Sequence, residues 1–226
     1  MAEQTKKSRE VASISLTPFS PESQNLVLDI SSQINGRRVR AWTDWVAPAS
    51  HEAFLDPEGL PPLSAEQSRH VNAWRRPCDL TEHPVIYSDD LRADQLHQSV
   101  ITDCSLVAGL AVCLNHHSKF RSKLGISCLH PQNGDGTPII SSSGKYQIRF
   151  QCNGIQRKIE IDDRLPCVAD NSLACLSTHE AIIFLPSLIE KAYMKLNGGY
   201  DFPGSDSSID VYALTRWIPE VIRFKR

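Results

Sequence analysis

The chain has 226 residues, enough for one substantial core, and its 24 basic against 26 acidic residues leave a formal charge of -2. That balance excludes the one-signed field that nucleic acid or an anionic membrane surface demands, so no nucleic-acid partner is expected. No apolar run approaches the roughly 18 residues that span a bilayer, and MAEQTKKSRE lacks the apolar stretch of a secretory signal, so no direct membrane insertion and a cytoplasmic location are expected.

Residues 1–40 read as a mobile N-terminal arm, because the opening stretch mixes Lys, Ser, Glu and Pro and can bury little. The core is expected over 41–226. From Ala41 to Pro77 the sequence is rich in tryptophan and proline, the composition of an extended segment wrapping a globule. A short helix is expected near Ser64, where Gln67 can reach back in a capping box. Leu106, Val107, Leu110, Ala111, Cys113 and Leu114 then recur at helical spacing after Asp103, a candidate N-cap. Loop signals follow in PQNGDGTP and SSSG. In KYQIRFQCNGIQRKIEI, Tyr146, Ile148 and Phe150 alternate with polar residues and Asn153-Gly154 supplies a type I′ turn, which predicts a hairpin over 145–161 ended by Asp162-Asp163-Arg164-Leu165-Pro166. Residues 178–196 read as a second helical stretch stopped by Asn197-Gly198-Gly199. Pro186 either opens that helix or separates it from a turn over the preceding IIFL. A last short helix is expected with its cap near Ser208.

Seven cysteines, an odd set without a C-x-x-C pair, suggest neither a disulfide framework nor a zinc ribbon. Cys113 with His116 and His117 has no second ligand pair, so no metal or other cofactor is expected. Most such cysteines are small buried hydrophobes. Cys104 differs by position. At the mouth of a helix a thiol faces unsatisfied backbone N–H groups and the positive end of the macrodipole, which favour its thiolate form. Upstream across a short loop, Gln98 carries an amide that can donate to an oxyanion. Glutamine, loop, cysteine, helix is the active-site order of papain-type thiol proteases.

QSVITDCSLVAGLA resembles the active-site segment of the calpains. FLDPEGLPPLS is similar to the lead-in of the calpain protease core, GKYQIRF with RKIEIDDRLP to its hairpin, and LIEKAYMKLNGGYDF to one of its helices, all in the family's order. Thr-Asp-Cys-Ser and GGYDFPGSDSSIDVYALTRWIPE most resemble the fungal PalB-type branch. The resemblance implies an α+β fold: the cysteine-bearing, mainly helical half of a papain-like protease core with a small β-hairpin. It also implies Cys104 as nucleophile, Gln98 and the backbone N–H of Cys104 as oxyanion donors, and a structural role for Asp162, Asp163 and Arg164. A thiol protease further needs a histidine base and an Asn to orient it, which in the family lie roughly 150 residues downstream in the second half of the core. The sequence runs only to Arg226, and His116 and His117 lie about 18 Å along the helix from Cys104. The expected second subdomain is therefore absent, and this chain alone is not expected to turn over peptides. Conventional calpains hold calcium in this half at places that here are Gln95 and Ile183, with Asp94 and Glu180 nearby, so calcium independence is expected. The implied partners are a protein substrate cut at limited sites and, through the PalB-type likeness, endosomal sorting-complex components in ambient-pH signalling. The trafficking module of full-length relatives is not recognisable in residues 1–40. The alternative function is a non-catalytic binding or regulatory fragment that keeps the cleft wall.

Overall fold

The structure is a computed structural model that describes residues 18–42, 52–101, 103–179, 182–220 and 222. Its earliest described segment departs from the expected arm. Ser20 accepts a hydrogen bond from the Ser23 amide and Pro21 sits in the first turn, so a helix α1 (Pro21–Ile30) starts where Ser-Pro-Glu provides a cap. Two short strands follow, β1 (Gln33–Ile34) and β2 (Arg37–Arg38), turned by Asn35 and Gly36 at positive φ. Ile34 and Val39 are buried, and the fully buried Arg157 guanidinium donates to Val39 O at 3.2 Å and Ser31 Oγ at 2.7 Å. The arm expected over 1–40 is thus secondary structure from residue 21 onward, and residues 1–17 lie outside the described part.

Of the extended segment expected over 41–77, residues 43–51 lie outside the described part. Phe54 donates its amide to Ser143 O, and Arg76 donates to Phe54 O at 2.7 Å, so the strap is held at Phe54. The capping box forms: Gln67 N donates to Ser64 Oγ at 3.1 Å and Ser64 N to Gln67 Oε1 at 2.9 Å, leading into α2 (Gln67–His70). After β3 (Ala73–Arg75) and α3 (Pro77–Leu80), the chain reaches β4 (Leu96–His97) and then α4 (Cys104–Phe120).

The hairpin has the expected register, β6 (Lys145–Cys152) against β7 (Ile155–Asp162), with Asn153 and Gly154 at φ 50° and 77°. A short strand β5 (Leu129–His130) extends it to a three-stranded antiparallel sheet in the order β5-β6-β7. Two further ladders pair β8 (Leu165–Cys167) with β3, and β9 (Ser177–Thr178) with β4. The fold is therefore α+β.

Helix α5 (Leu185–Leu196) carries Pro186 in its first turn, so the helical stretch expected from 178 is shortened, with Thr178 in β9, and every residue of α5 is buried. It packs on the sheet. Helix α6 (Ser207–Thr215) is capped by Asp206, whose carboxylate accepts from Ser208 N at 2.8 Å, two residues before the expected position. It lies along α4, where Gly109 permits the approach: a Cβ there would stand 3.4 Å from both Asp210 Cβ and Val211 N.

Two buried lysines on α5 hold the strand exit. Lys191 Nζ donates to Asp162 Oδ1 at 2.6 Å, to Asp162 O at 2.8 Å and to Arg164 O at 2.6 Å. Lys195 binds Asp56 at 2.6 and 2.9 Å and Glu160 O at 2.8 Å. Asp162 also receives Arg164, and Asp163 receives Arg76, so Asp162, Asp163 and Arg164 form an ion-paired support. Burial alone would raise the Asp162 carboxyl, but the Arg164 bonds and the Lys191 charge outweigh it and hold it far below the usual range. Truncating one partner of a buried pair strands the other. Lys191→Ala is expected to cost about 3–5 kcal/mol in urea unfolding of the whole chain, whereas removing an exposed, solvent-screened pair such as Arg92–Asp94 is expected to leave the unfolding midpoint nearly unmoved.

Candidate functional site

The loop between β4 and α4 carries both singled-out residues. It is pinned at one end by the β4–β9 ladder and at the other by Ile101, whose side chain is buried and whose amide donates to Ala174 O at 3.0 Å. Thr102 lies outside the described residues. Helix α4 then begins at Cys104, whose thiol is exposed.

The structure brings Cys104 and Gln98 together. Cys104 Sγ lies 3.5 Å from Gln98 Oε1, and Gln98 Nε2 donates to Asp103 Oδ1 at 2.9 Å. The expected cap at Asp103 is corrected: the residue occupies the N-cap position, yet its side chain makes no capping bond and turns inward to Gln98 instead. It is 4% exposed and meets the fully buried Glu190 of α5. Burial pushes the Asp103 carboxyl up to about 6, against the lowering effect of hydrogen bonds from Glu190 and Gln98. Burial, reinforced by the negative charge of Asp103, raises Glu190 well above the ordinary range.

The remaining thiols divide cleanly. Burial pushes Cys113 and Cys128 up to about 12 and raises Cys152, Cys167 and Cys175 as well. Cys78 on α3 is the other exposed thiol. The histidines are engaged in several places. His117 is buried with Tyr87 Oη at 3.0 Å from Nε2 and Ser122 O at 3.1 Å from Nδ1. His116 stacks on Phe120 and Trp217, and His130 lies 4.9 Å from the Trp42 ring, its imidazole lowered to about 4 by burial and the Arg149 charge. His97 and His179 stack at 4.3 Å beside the β4–β9 ladder.

The positions that would mark a calcium site do not fit a hard cation. Gln95 uses Oε1 to accept the Arg92 amide, Asp94 is bonded to the Arg92 guanidinium at 2.8 and 3.0 Å, and Ile183 is buried; Glu180 lies outside the described residues. No group of three or more His, Cys, Asp or Glu side chains placed to hold a metal occurs among the described residues. Nor is any helix there long and apolar enough to cross a membrane.

Glu190 was not marked out by sequence reasoning. The available signal is its place in LIEKAY, a charged residue inside an otherwise apolar helix face, but only the tertiary fold brings it to Asp103.

The site is thus an exposed thiol at the start of a long helix with a glutamine side chain folded onto it. Comparison with known proteins defines the class. The calpain family cysteine protease profile matches residues 42–222, and the chain belongs to this family. It is 45% identical to Calpain-7 of Mus musculus over 170 residues, which are 75% of this chain and 21% of that protein. It is 36% identical to the calpain-like protease palB/cpr-8 of Neurospora crassa over 208 residues, 85% of this chain and 22% of that protein. The calpain-like protease palB of Emericella nidulans is 42% identical over 173 residues, 71% of this chain and 20% of that protein. The chain thus spans about one fifth of the length of these relatives.

The raised Asp103 carboxyl has a measurable consequence. An unfolded aspartate releases its proton near 3.9, whereas the folded one keeps it to about 6, so the stabilising contribution is complete below about pH 4 and is lost as pH rises through about 6. Asp103→Asn removes that titration. In urea unfolding across this window, the stability of the variant relative to the unmodified chain is expected to improve as pH rises.

Proposed function

We propose that the chain is the nucleophile-bearing part of a calcium-independent, intracellular calpain-like cysteine endopeptidase that cuts protein substrates at limited sites. Cys104 Sγ attacks the scissile carbonyl while its proton passes to a histidine base; the C–N bond then breaks, the histidine returns the proton to the departing amine, and the acyl-enzyme remains. The Gln98 side-chain amide and the Cys104 backbone N–H stabilise the oxyanion. The observation that carries this reading is the Gln98 side chain lying on the exposed Cys104 thiol at the first turn of α4.

The base and its orienting Asn are supplied by another lobe rather than by residues described here. In support, His117 and His116 are engaged at the far end of α4, and His130 stacks on Trp42. Calcium independence is supported by the poor oxygen donors at Gln95 and Ile183. A cytoplasmic location is supported by seven free cysteines, which fit a reducing compartment. The PalB-type likeness extends the reading to ambient-pH signalling and to endosomal sorting-complex partners.

Alkylation tests the nucleophile. Under limiting iodoacetamide, peptide mapping is expected to show Cys104 modified several-fold faster than Cys78, with the five covered thiols last. Peptide turnover is expected to be absent from the chain alone and restored when a histidine-bearing lobe is added. Equal labelling of Cys78 and Cys104, with no turnover after addition of that lobe, would instead support the binding or regulatory fragment.

A further inference from the structure

Below the thiol a polar chain runs into the core. Gln98 Nε2 donates to Asp103 Oδ1 at 2.9 Å, the Asp103 carboxyl meets that of Glu190, and Glu190 Oε2 accepts the Leu176 amide at 3.0 Å. Each carboxyl is left with one buried oxygen that receives no donor, Asp103 Oδ2 and Glu190 Oε1. The groups that face the pair are acids or neutral. From α6 comes Asp210, whose Oδ1 is taken by Ser205 at 2.5 Å and by Tyr193; from the segment before β9 come the Cys175 thiol and the Leu176 amide; Tyr200 adds a buried hydroxyl. Lys191, the next residue along α5, is committed to Asp162 and two carbonyls. Two facing carboxylates without a cation repel strongly, and two acceptors cannot bond unless a proton lies between them.

We propose that Asp103 and Glu190 hold one proton between them and so act as positioning residues, fixing which way the Gln98 carboxamide faces at Cys104. This rests on the nucleophile and oxyanion roles given above to Cys104 and Gln98. The oxygen and nitrogen of a carboxamide have nearly the same shape, so hydrogen bonding alone chooses between its two orientations. With the proton on Glu190 and donated to Asp103, both orphaned oxygens are satisfied and Asp103 Oδ1 is purely an acceptor. It therefore selects Nε2, whose second N–H remains for an oxyanion in the cleft. A second proton turns Asp103 into a donor, which can bond Gln98 Oε1 and release the amide to turn over. Loss of the shared proton puts two charges in one dry site. The single-proton state is the one that keeps the donor in place.

Carboxyl-labelled aspartate and glutamate in the whole chain, followed by carbon NMR as pH is varied, test the shared proton without any substitution. One glutamate is expected to stay protonated through neutral pH, and its signal is expected to be missing in Glu190→Gln. In the unmodified chain the two Gln98 side-chain amide hydrogens are expected to resonate apart from those of free glutamine, and to move with the acidic inflection of the pair. In Asp103→Ala, with helix content intact by circular dichroism, they are expected to fall to free values, and the pH profile of Cys104 alkylation to shift with them. Glutamates that are all ionised at neutral pH, or Gln98 signals that ignore the acidic inflection, overturn the proposal even if neither variant folds. Labelling that does not favour Cys104 over Cys78 counts against the nucleophile instead, so the two failures are told apart.

Discussion

A helix buried along its whole length leaves no polar side chain free to reach water, and α5 is such a helix. Each of its polar groups must find a partner inside the protein or destabilise it. Ser187 donates to Leu176 O, Lys191 to Asp162, Lys195 to Asp56, Tyr193 to Asp210, and Glu190 faces Asp103. These partners come from the strap, the sheet exit, α6 and the start of α4. One buried element thereby fixes the relative places of these segments, and it does so by direction-specific bonds that a purely apolar helix would lack.

The site inherits its geometry from that arrangement. Cys104 is exposed, but the residue before it is anchored to α5, and the loop before that is anchored by Ile101 to Ala174. The glutamine amide is thus tied to the core through a carboxyl instead of hanging from a surface loop. Precision at a solvent-facing thiol comes from groups that water does not reach.

The elements legible in the sequence were those with a local physical code. Alternating Tyr146, Ile148 and Phe150 around Asn153-Gly154 describe the hairpin, and apolar residues at helical spacing after Asp103 describe α4. Ser64 and Gln67 encode their reciprocal bonds in four residues. The α1 helix and the β1–β2 turn also have local signals, Ser20-Pro21 and Asn35-Gly36, which a polar composition obscured. Other features had no local code. A two-residue strand such as β5 exists only because β6 is beside it, and Asp103 reads as a cap until Gln98 and Glu190 compete for its carboxyl. Cys104 and Gln98 were recognisable because their spacing is short; Glu190 belongs to the same cluster through contacts that span the fold.

The uneven covering of the thiols makes the protein its own gauge of integrity. Cys78 and Cys104 meet solvent, Cys152 is half covered, and Cys113, Cys128, Cys167 and Cys175 are sealed within the core. A chromogenic thiol count on an intact sample therefore rises promptly to two and then creeps, whereas an unfolded sample delivers all seven at once.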